Sequence, residues 1–325
     1  MRPSAWKILL LFPLFILLSN CEAQPQRELF NVLAGKDHQG PVLLGWHATG
    51  THSARCSFDE FVRCDAGKIV CPDGTNAVLS AVAFEREVEL TFSRPLVPGK
   101  RQEIRARVTD MVGNSLSFTV GIWGYNANPP ELRINEFVTK GSSTNPDRVE
   151  LYVKQGGNLA GITLYDGMSG SFDSECILPA FAVSAGDHVV IEYGERLRGI
   201  HPIEFWGGEV GLGANNGVIS LYDAPEGRII DAVLYSNRTS SSDEQYGGFG
   251  TKKVQQRAVL LQESGEWKPI PIVPESGVDS TYCTATRSIC RTPGAADTDR
   301  AADWHVVPTG KASFGNENEK ESYHP

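Results

Sequence analysis

Three carboxylates, Asp223, Glu226 and Asp231, lie close together in the sequence. Two such groups can act as acid and base in glycoside hydrolysis, and several together can bind calcium. Asp223 and Glu226 flank a turn that contains Pro225 and Gly227, whereas Asp231 alternates outward on an apolar segment. This arrangement favours a solvated hairpin over a catalytic pair or a calcium site.

Other catalytic patterns are incomplete. The segment Gly167-Met-Ser-Gly-Ser171 is similar to a nucleophile elbow, but it has no closing glycine. The sequence contains no Walker A loop and no His-Glu-x-x-His zinc motif. The seven histidines are scattered along the chain, at His38, His47, His52, His188, His201, His305 and His324. We therefore predict that the protein is not an enzyme, with no catalytic, cofactor-binding or metal-binding residues.

Cysteines provide a second set of reactive groups. Besides Cys21 there are six, namely Cys56, Cys64, Cys71, Cys176, Cys283 and Cys290. An even number in an exported chain predicts disulfides, with about fifteen complete pairings possible. Cys283 with Cys290 is the first candidate pair, and Cys176 is the candidate partner for the odd-numbered cluster at 56–71. Zinc is disfavoured because the spacings lack a tight Cys-x2-Cys unit.

The N-terminus has the features of an export signal. Arg2 and Lys7 precede an apolar stretch of about eleven residues, which is too short to span a membrane. Leu18-Ser-Asn-Cys21 is similar to a bacterial lipobox, although Asn20 departs from its usual small residue. That similarity implies a signal peptide at 1–20, a lipid such as palmitate on Cys21, and attachment to a membrane of the bacterial cell envelope. Residues 21–36 are polar and are predicted to be a tether.

Composition limits the class of partner. The 325 residues are 41% hydrophobic and carry a formal net charge of -9. Nucleic-acid binders usually present a basic patch, so this charge argues against such a partner. The length suits about two domains. The 33 glycines and 19 prolines favour an all-β fold with many turns.

The first domain is predicted at 37–127, before a proline-containing boundary at 124–130. Residues 87–92, 104–109 and 116–120 each alternate apolar and polar side chains. Such alternation predicts strands with one buried face, here joined as an antiparallel meander. Residues 90–96 and 108–116 resemble bacterial immunoglobulin-like surface modules, which implies a β-sandwich.

The second domain is predicted at 131–316. It contains the apolar segments Ile134-Asn-Glu-Phe137, Arg148-Val-Glu-Leu-Tyr152 and Ile229-Ile-Asp-Ala-Val-Leu-Tyr235. Together with residues 158–166 and 185–190, these phrases resemble the lamin-tail domain (LTD) family in order and spacing. The resemblance implies an immunoglobulin-like β-sandwich and supplies no catalytic motif. Exposed tyrosines at strand ends, Tyr152, Tyr165, Tyr222 and Tyr235, would form a binding face or pack in the sandwich.

Residues 237–303 do not fit that module. We predict an insertion that decorates one end of the sandwich, with a helix or a strand near 251–263, a closing strand at Trp304, and a disordered tail at 317–325. At roughly 65 residues the insertion is small for a separate core. The preferred function is therefore a lipid-anchored surface or periplasmic binding or scaffolding protein with a protein or carbohydrate partner. The alternative is an exported nuclease or glycosidase with its site in 237–303.

Overall fold

The computed structural model describes residues 37–194, 199–240 and 245–325. Within that part, the chain divides into two compact units. The first comprises residues 37–95 and 102–122, and the second comprises residues 96–101 and those from 123 onward. In the described residues, no helix combines the length and apolar character needed to cross a membrane. The predicted signal peptide, the tether and Cys21 lie outside the described residues.

The first unit is built from two sheets. A four-stranded sheet has the order β1-β2-β5-β4, and a three-stranded sheet has the order β3-β6-β7. The strands are β1 (Leu43–Gly50), β2 (Ser53–Phe58), β3 (Arg63–Cys64), β4 (Val78–Phe84), β5 (Glu87–Phe92), β6 (Arg101–Thr109) and β7 (Ser115–Trp123).

Strand β5 shows the alternation that the sequence predicts. Val88, Leu90 and Phe92 are buried, whereas the residues between them are only partly covered. The predicted three-stranded meander is wrong in one respect, because β5 pairs with β2 and β4 instead of β6. Strands β6 and β7 are neighbours, and Asp110 closes their turn by accepting hydrogen bonds from three backbone N–H groups.

The second unit contains two larger sheets and one small one. Their orders are β12-β11-β16-β17-β18, β15-β14-β9-β8-β19-β20 and β10-β13. The strands are β8 (Glu131–Val138), β9 (Asp147–Gln155), β10 (Gly157–Asn158), β11 (Thr163–Met168), β12 (Ser171–Ile177), β13 (Ala182–Val183), β14 (His188–Tyr193), β15 (Glu204–Gly208), β16 (Asn216–Tyr222), β17 (Ile229–Ser236), β18 (Val278–Asp279), β19 (Ile289–Arg291) and β20 (Trp304–Val306).

The core of the second unit lies between its five-stranded and six-stranded sheets. Ile134, Leu151 and Ile191 face it from the six-stranded sheet, and Leu164 and Ile219 face it from the five-stranded sheet. Most strand pairs are antiparallel, but β14 with β15 and β17 with β18 run parallel. The all-β prediction is confirmed, with two units that are each made of packed sheets.

Residues 237–303 are an integral part of the second unit, and the prediction of a decorating insertion is wrong. Strand β18 extends the five-stranded sheet, and β19 lies between β8 and β20 in the six-stranded sheet. Trp267 is fully buried, and its indole N–H donates to the Ser276 carbonyl at 3.0 Å. The segment therefore supplies strands to both sheets and side chains to their core.

The α-helix of the second unit, α1, spans Lys252–Ser264. Thr251 caps its N-terminus by accepting a hydrogen bond from the Val254 N–H, and Gly265 ends it in the left-handed conformation. Its buried residues Val254, Ala258 and Leu261 recur at helical spacing, so one stripe packs against the sheet. The structure thus selects the helix from the two alternatives left open for residues 251–263.

The end of the chain is held against the six-stranded sheet. The Tyr323 N–H donates to the Val306 carbonyl at 2.7 Å, and the Tyr323 ring lies 5.5 Å from that of Tyr282. Asn318 exchanges side-chain hydrogen bonds with Asn135 of β8. Residues 317–325 were predicted to be disordered because they are polar and charged, but specific contacts fix this segment.

Candidate functional site

The outer face of the six-stranded sheet carries a group of buried polar side chains. Residues alternate between faces along a strand, so the apolar residues of β9 and β14 fill the core and their polar neighbours point the other way. On β8, a register shift between Ile134 and Glu136 turns Glu136 to the same outer face. Glu136, Glu150 and Glu192 are all fully buried on these strands. Glu136 and Glu150 are direct partners in the pairing of β8 with β9, which places two carboxylates side by side.

The chain's C-terminal segment covers this pair and donates hydrogen bonds to it. The Ser313 N–H and hydroxyl donate to Glu136, at 2.9 and 2.7 Å, and the Ser288 hydroxyl also donates to it. The Gly315 N–H donates to Glu150 Oε2 at 2.5 Å. Because these donors come from the protein itself, both carboxylates are satisfied without solvent.

Positively charged and imidazole groups complete the cluster. His188 Nδ1 lies 2.9 Å from Glu150 Oε1, and Arg148 Nε donates to Glu192 Oε1 at 2.9 Å. The guanidinium of Arg148 also lies over the Phe314 ring, at 5.6 Å. The second carboxylate oxygen of Glu192 is buried and has no protein donor.

Electrostatics in the cluster follow from burial. Burial and the neighbouring charge of Glu150 raise the pKa of Glu136 to about 7, against the opposing effect of its hydroxyl and N–H donors. Burial lowers the pKa of His188, but the hydrogen bond to Glu150 and the negative charges of Glu150, Glu136 and Glu317 together outweigh it, so the net shift is upward. The cluster can therefore exchange a proton near neutral pH. The same covering segment separates the two carboxylates from solvent, which does not suit a hydrolytic acid–base pair.

The carboxylates of Asp223 and Asp231, which were weighed as a catalytic pair or a calcium site, have separate partners within the protein. Asp231 is buried and accepts two hydrogen bonds from Arg291 Nη2, at 3.1 and 3.0 Å. Asp223 instead pairs with Arg228 across its hairpin turn. Burial raises the pKa of Asp231 to about 6, although Arg291 opposes the shift. The side chain of Asp231, expected to point outward to solvent, is covered by the segment that carries Arg291.

Three of the four tyrosines at strand ends are buried, and one of them, Tyr235, belongs to the core of the sandwich. Tyr165, Tyr222 and Tyr235 are buried, and the rings of Tyr165 and Tyr222 meet edge to face at 5.3 Å. The Tyr235 hydroxyl donates to the Gly213 carbonyl at 2.6 Å. Tyr152 is half-buried beside His188. Of the two alternatives for these residues, the structure supports packing.

All six described cysteines are free thiols, so the structure contains none of the predicted disulfides. They are Cys56, Cys64, Cys71, Cys176, Cys283 and Cys290. The first candidate pair fails because its members have different surroundings. Cys283 lies in the core beside Thr139, whereas Cys290 Sγ lies 3.6 Å from His305 Nε2 and 3.7 Å from the Glu319 carbonyl. Burial raises the pKa of the Cys290 thiol far above its ordinary value, which disfavours a thiolate nucleophile.

The first unit contains a cluster of three carboxylates that lie close enough together to hold a metal ion. Ligand atoms of Asp37, Glu60 and Asp110 come within 4.8 Å of one another. The Asp110 carboxylate already accepts three backbone hydrogen bonds in the β6–β7 turn, and Asn114 Nδ2 donates to its other oxygen. These hydrogen bonds account for the Asp110 carboxylate by its role in the turn, without a bound metal ion.

Three features of this region were missed in the sequence. Ser313 and Asn318 lie in a stretch rich in Asn, Gly and charge, which looks like a tail, and Arg291 is one arginine in an irregular segment. Glu150 alternates as an outward residue of its strand, and no pattern in the sequence marks the register shift that turns Glu136 to the same face. The usable signal is a polar residue on a strand whose apolar residues form the core. A later segment able to cover such residues would then have identified the cluster.

Comparison with known families gives one match to the second unit. A family model described as "protein second domain" matches residues 130–202 and 200–306. A curated relative from Treponema pallidum (strain Nichols), described as an uncharacterized protein, is 25% identical over 225 residues. The match covers 60% of this chain, and the chain spans 56% of that relative.

Two solved structures of a bacterial surface-layer protein are weakly similar to this chain. The N-terminal part of the bacterial S-layer protein SbsC is 11% identical, with a TM-score of 0.25, over 66% of this chain and 46% of that one. A second structure, of domains 1–6 of the same surface-layer protein, has the same identity and TM-score over 61% of this chain and 41% of that one. At these values the likeness carries no argument about fold or function.

Proposed function

This chain belongs to the family described as "protein second domain". We propose that it is a non-enzymatic protein of the cell envelope, which acts by binding or scaffolding. The observation that carries the proposal is the state of its reactive groups. In the described ranges, the paired carboxylates Glu136 and Glu150 are covered and hydrogen-bonded by residues 313–315 of the same chain. The Cys290 thiol is buried, and burial raises its pKa, which disfavours the reactive thiolate.

The alternative of a hydrolytic site in residues 237–303 loses its main support. That segment was suspected because it did not fit the sandwich, and its role in both sheets and in the core now explains it. The protein partner or carbohydrate partner would then bind at loops or strand faces, as is common for sandwich modules. The lamin-tail resemblance stays a proposal for the second unit, because the matching family is a different one.

An activity panel tests the non-enzymatic part of the proposal. The full chain is incubated with nucleic-acid and oligosaccharide substrates, with and without divalent cations. We expect no turnover in any condition, and we expect the immobilised protein to retain a protein or glycan from the native envelope. Turnover that copurifies with the monomer and is abolished by a single substitution in this chain would contradict the proposal.

Lipid attachment at Cys21 is the proposed route to the membrane. In a bacterial host fed an alkyne-tagged palmitate, we expect label on the wild-type protein and none on Cys21→Ser. Cys64→Ser is the matched control, because Cys64 is a half-buried cysteine of the first unit and should leave labelling unchanged. Equal labelling of wild type and Cys21→Ser would refute lipid attachment at this position.

A further inference from the structure

Residues 313–323, here called the strap, cross the outer face of the six-stranded sheet above the Glu136/Glu150 pair. We propose that protonation of Glu136 within this pair controls how firmly the strap is docked, so that residues 313–323 are a pH-sensitive cover for the sheet. The proposal rests on the contacts and burial of the pair, and it does not depend on the proposed binding function.

The strap is fastened at the carboxylates themselves. Ser313 donates to Glu136 through both its N–H and its hydroxyl, and the Gly315 N–H donates to Glu150. Further along, Asn318 bonds to Asn135, the residue that also donates to Glu150 Oε1 at 2.7 Å. Lifting the strap would thus hydrate both carboxylates at once.

Two adjacent carboxylates that are fully buried do not both ionise at low cost. Each ionised group loses water, and each repels the other through a medium of low dielectric constant. The donors from Ser288 and Ser313 are neutral, whereas His188 contacts Glu150 only. A single proton on Glu136 therefore relieves the repulsion while the strap stays in place.

Several other titratable or charged groups surround the pair. They are His188 on β14, Cys290 on β19, His305 on β20, Arg148 on β9, His201 before β15, Lys311 before the strap, and Glu317 and Glu319 within it. Cys290 stays neutral because burial raises the pKa of its thiol. Burial lowers the pKa of both His201 and His305, which contact the strap at Phe314 and Glu319.

The direction of the pH effect follows from these shifts. The docked pKa of Glu136 is raised from 4.5 to about 7, so its contribution to docking is complete below pH 4.5 and is lost as pH rises through about 7. His201 and His305 act in the opposite sense, because their lowered pKa values weaken docking as pH falls below 6.5. Substitution of Glu136 removes its own contribution to the pH dependence of docking and leaves that of the two histidines.

Amide hydrogen exchange of the full chain measures strap docking directly. Protection factors at Ser313 and Gly315, corrected for the intrinsic rate, are compared between about pH 5 and about pH 8. In wild type we expect them to fall at least about tenfold, with an upper limit of roughly 70-fold over this pH range if the entire rise in the pKa of Glu136, from 4.5 to about 7, is coupled to docking. In Glu136→Gln, we expect them to be constant or to rise with pH. Glu131→Gln, on an exposed position of the same strand, should behave as wild type.

Three results would overturn the proposal. The first is equal wild-type protection at the two pH values, and the second is a wild-type fall that persists in Glu136→Gln. If Glu136→Gln does not fold, the carboxyl carbon of Glu136 is titrated by NMR in the wild-type chain. A pKa at least about one unit above the ordinary 4.5 supports the proposal, and a smaller increase is the third overturning result.

Discussion

Arg291 is a buried charge that joins several strands of the second unit, and replacing it by alanine tests how much that unit depends on it. Its side chain is 4% exposed. Nε donates to the Ile134 carbonyl at 2.6 Å, Nη1 donates to Asp297 at 2.6 Å, and Nη2 donates to both oxygens of Asp231. The guanidinium also lies 4.5 Å from the centre of the Trp304 ring. One side chain thus links β8, β17, β19 and β20.

The expected loss follows from what Arg291→Ala leaves behind. Asp231 would stay buried without its cation, and the Ile134 carbonyl would lose a donor. Breaking a buried pair by removing one partner costs about 3–5 kcal/mol. We expect a decrease of that size in the free energy of unfolding of the second unit, measured by urea titration with tryptophan fluorescence near pH 8. Arg228→Ala is the control, since its side chain is 84% exposed, and its loss should stay within about 0.5 kcal/mol.

The loss should also depend on pH. The pKa of Asp231 is already raised to about 6 by burial, and removing Arg291 takes away the main effect that lowers it. In the variant, Asp231 would bind a proton more readily and become neutral at about pH 5. The destabilisation should therefore be smaller at about pH 5 than at about pH 8. A loss below about 1 kcal/mol at pH 8, or a loss that grows in acid, would refute the reasoning.

Two further predictions concern the helix and the thiols. Arg257→Ala removes hydrogen bonds to Asp173 and to the Ser171 carbonyl, which tie α1 to β12, so we expect about 2–3 kcal/mol of destabilisation by thermal melting. Lys252→Ala, at the exposed start of α1, should change stability little, and equal effects of the two changes would contradict this role for Arg257. All six described cysteines should become alkylated when the protein is unfolded without reductant, as measured by mass spectrometry. An unmodified, linked Cys283 and Cys290 would restore the disulfide prediction.

The strands of the second unit could be predicted because their signal is local. Each of β8, β9 and β17 lies within a segment whose apolar residues were identified as core, and Val149, Leu151 and Val153 face that core as expected. The closing strand at Trp304 is confirmed by β20. Period-2 alternation identifies a strand and its inner face without knowledge of the rest of the chain.

The polar cluster could not be predicted because its cause is not local. Glu150 alternates as an outward residue and was assigned to solvent, but whether the outer face is wet depends on a segment more than a hundred residues later in the chain. The same reason explains Asp231, whose partner Arg291 is separated from it by 60 positions. A pattern on one strand carries no information about what covers its far side.

Residues 237–303 illustrate a different difficulty. Strands β18 and β19 contain two and three residues, too few for alternation to be recognised. Their identity as strands comes from pairing with β17 and β8, which are already in place. The composition of this segment is typical of a loop, and it therefore gave no indication that the segment adds strands to both sheets.

The position of the strap also dictates the order in which this unit can reach its final state during synthesis. Glu136 is made early, but Ser288 and Ser313, which donate to it, follow 152 and 177 residues later. A chain that emerges from its N-terminal side must hold the β8–β9 hairpin with hydrated carboxylates until residues 313–315 appear. The second unit is therefore expected to finish folding only after these residues have been made, and a nascent chain stalled before residue 313 should stay accessible to protease at this sheet.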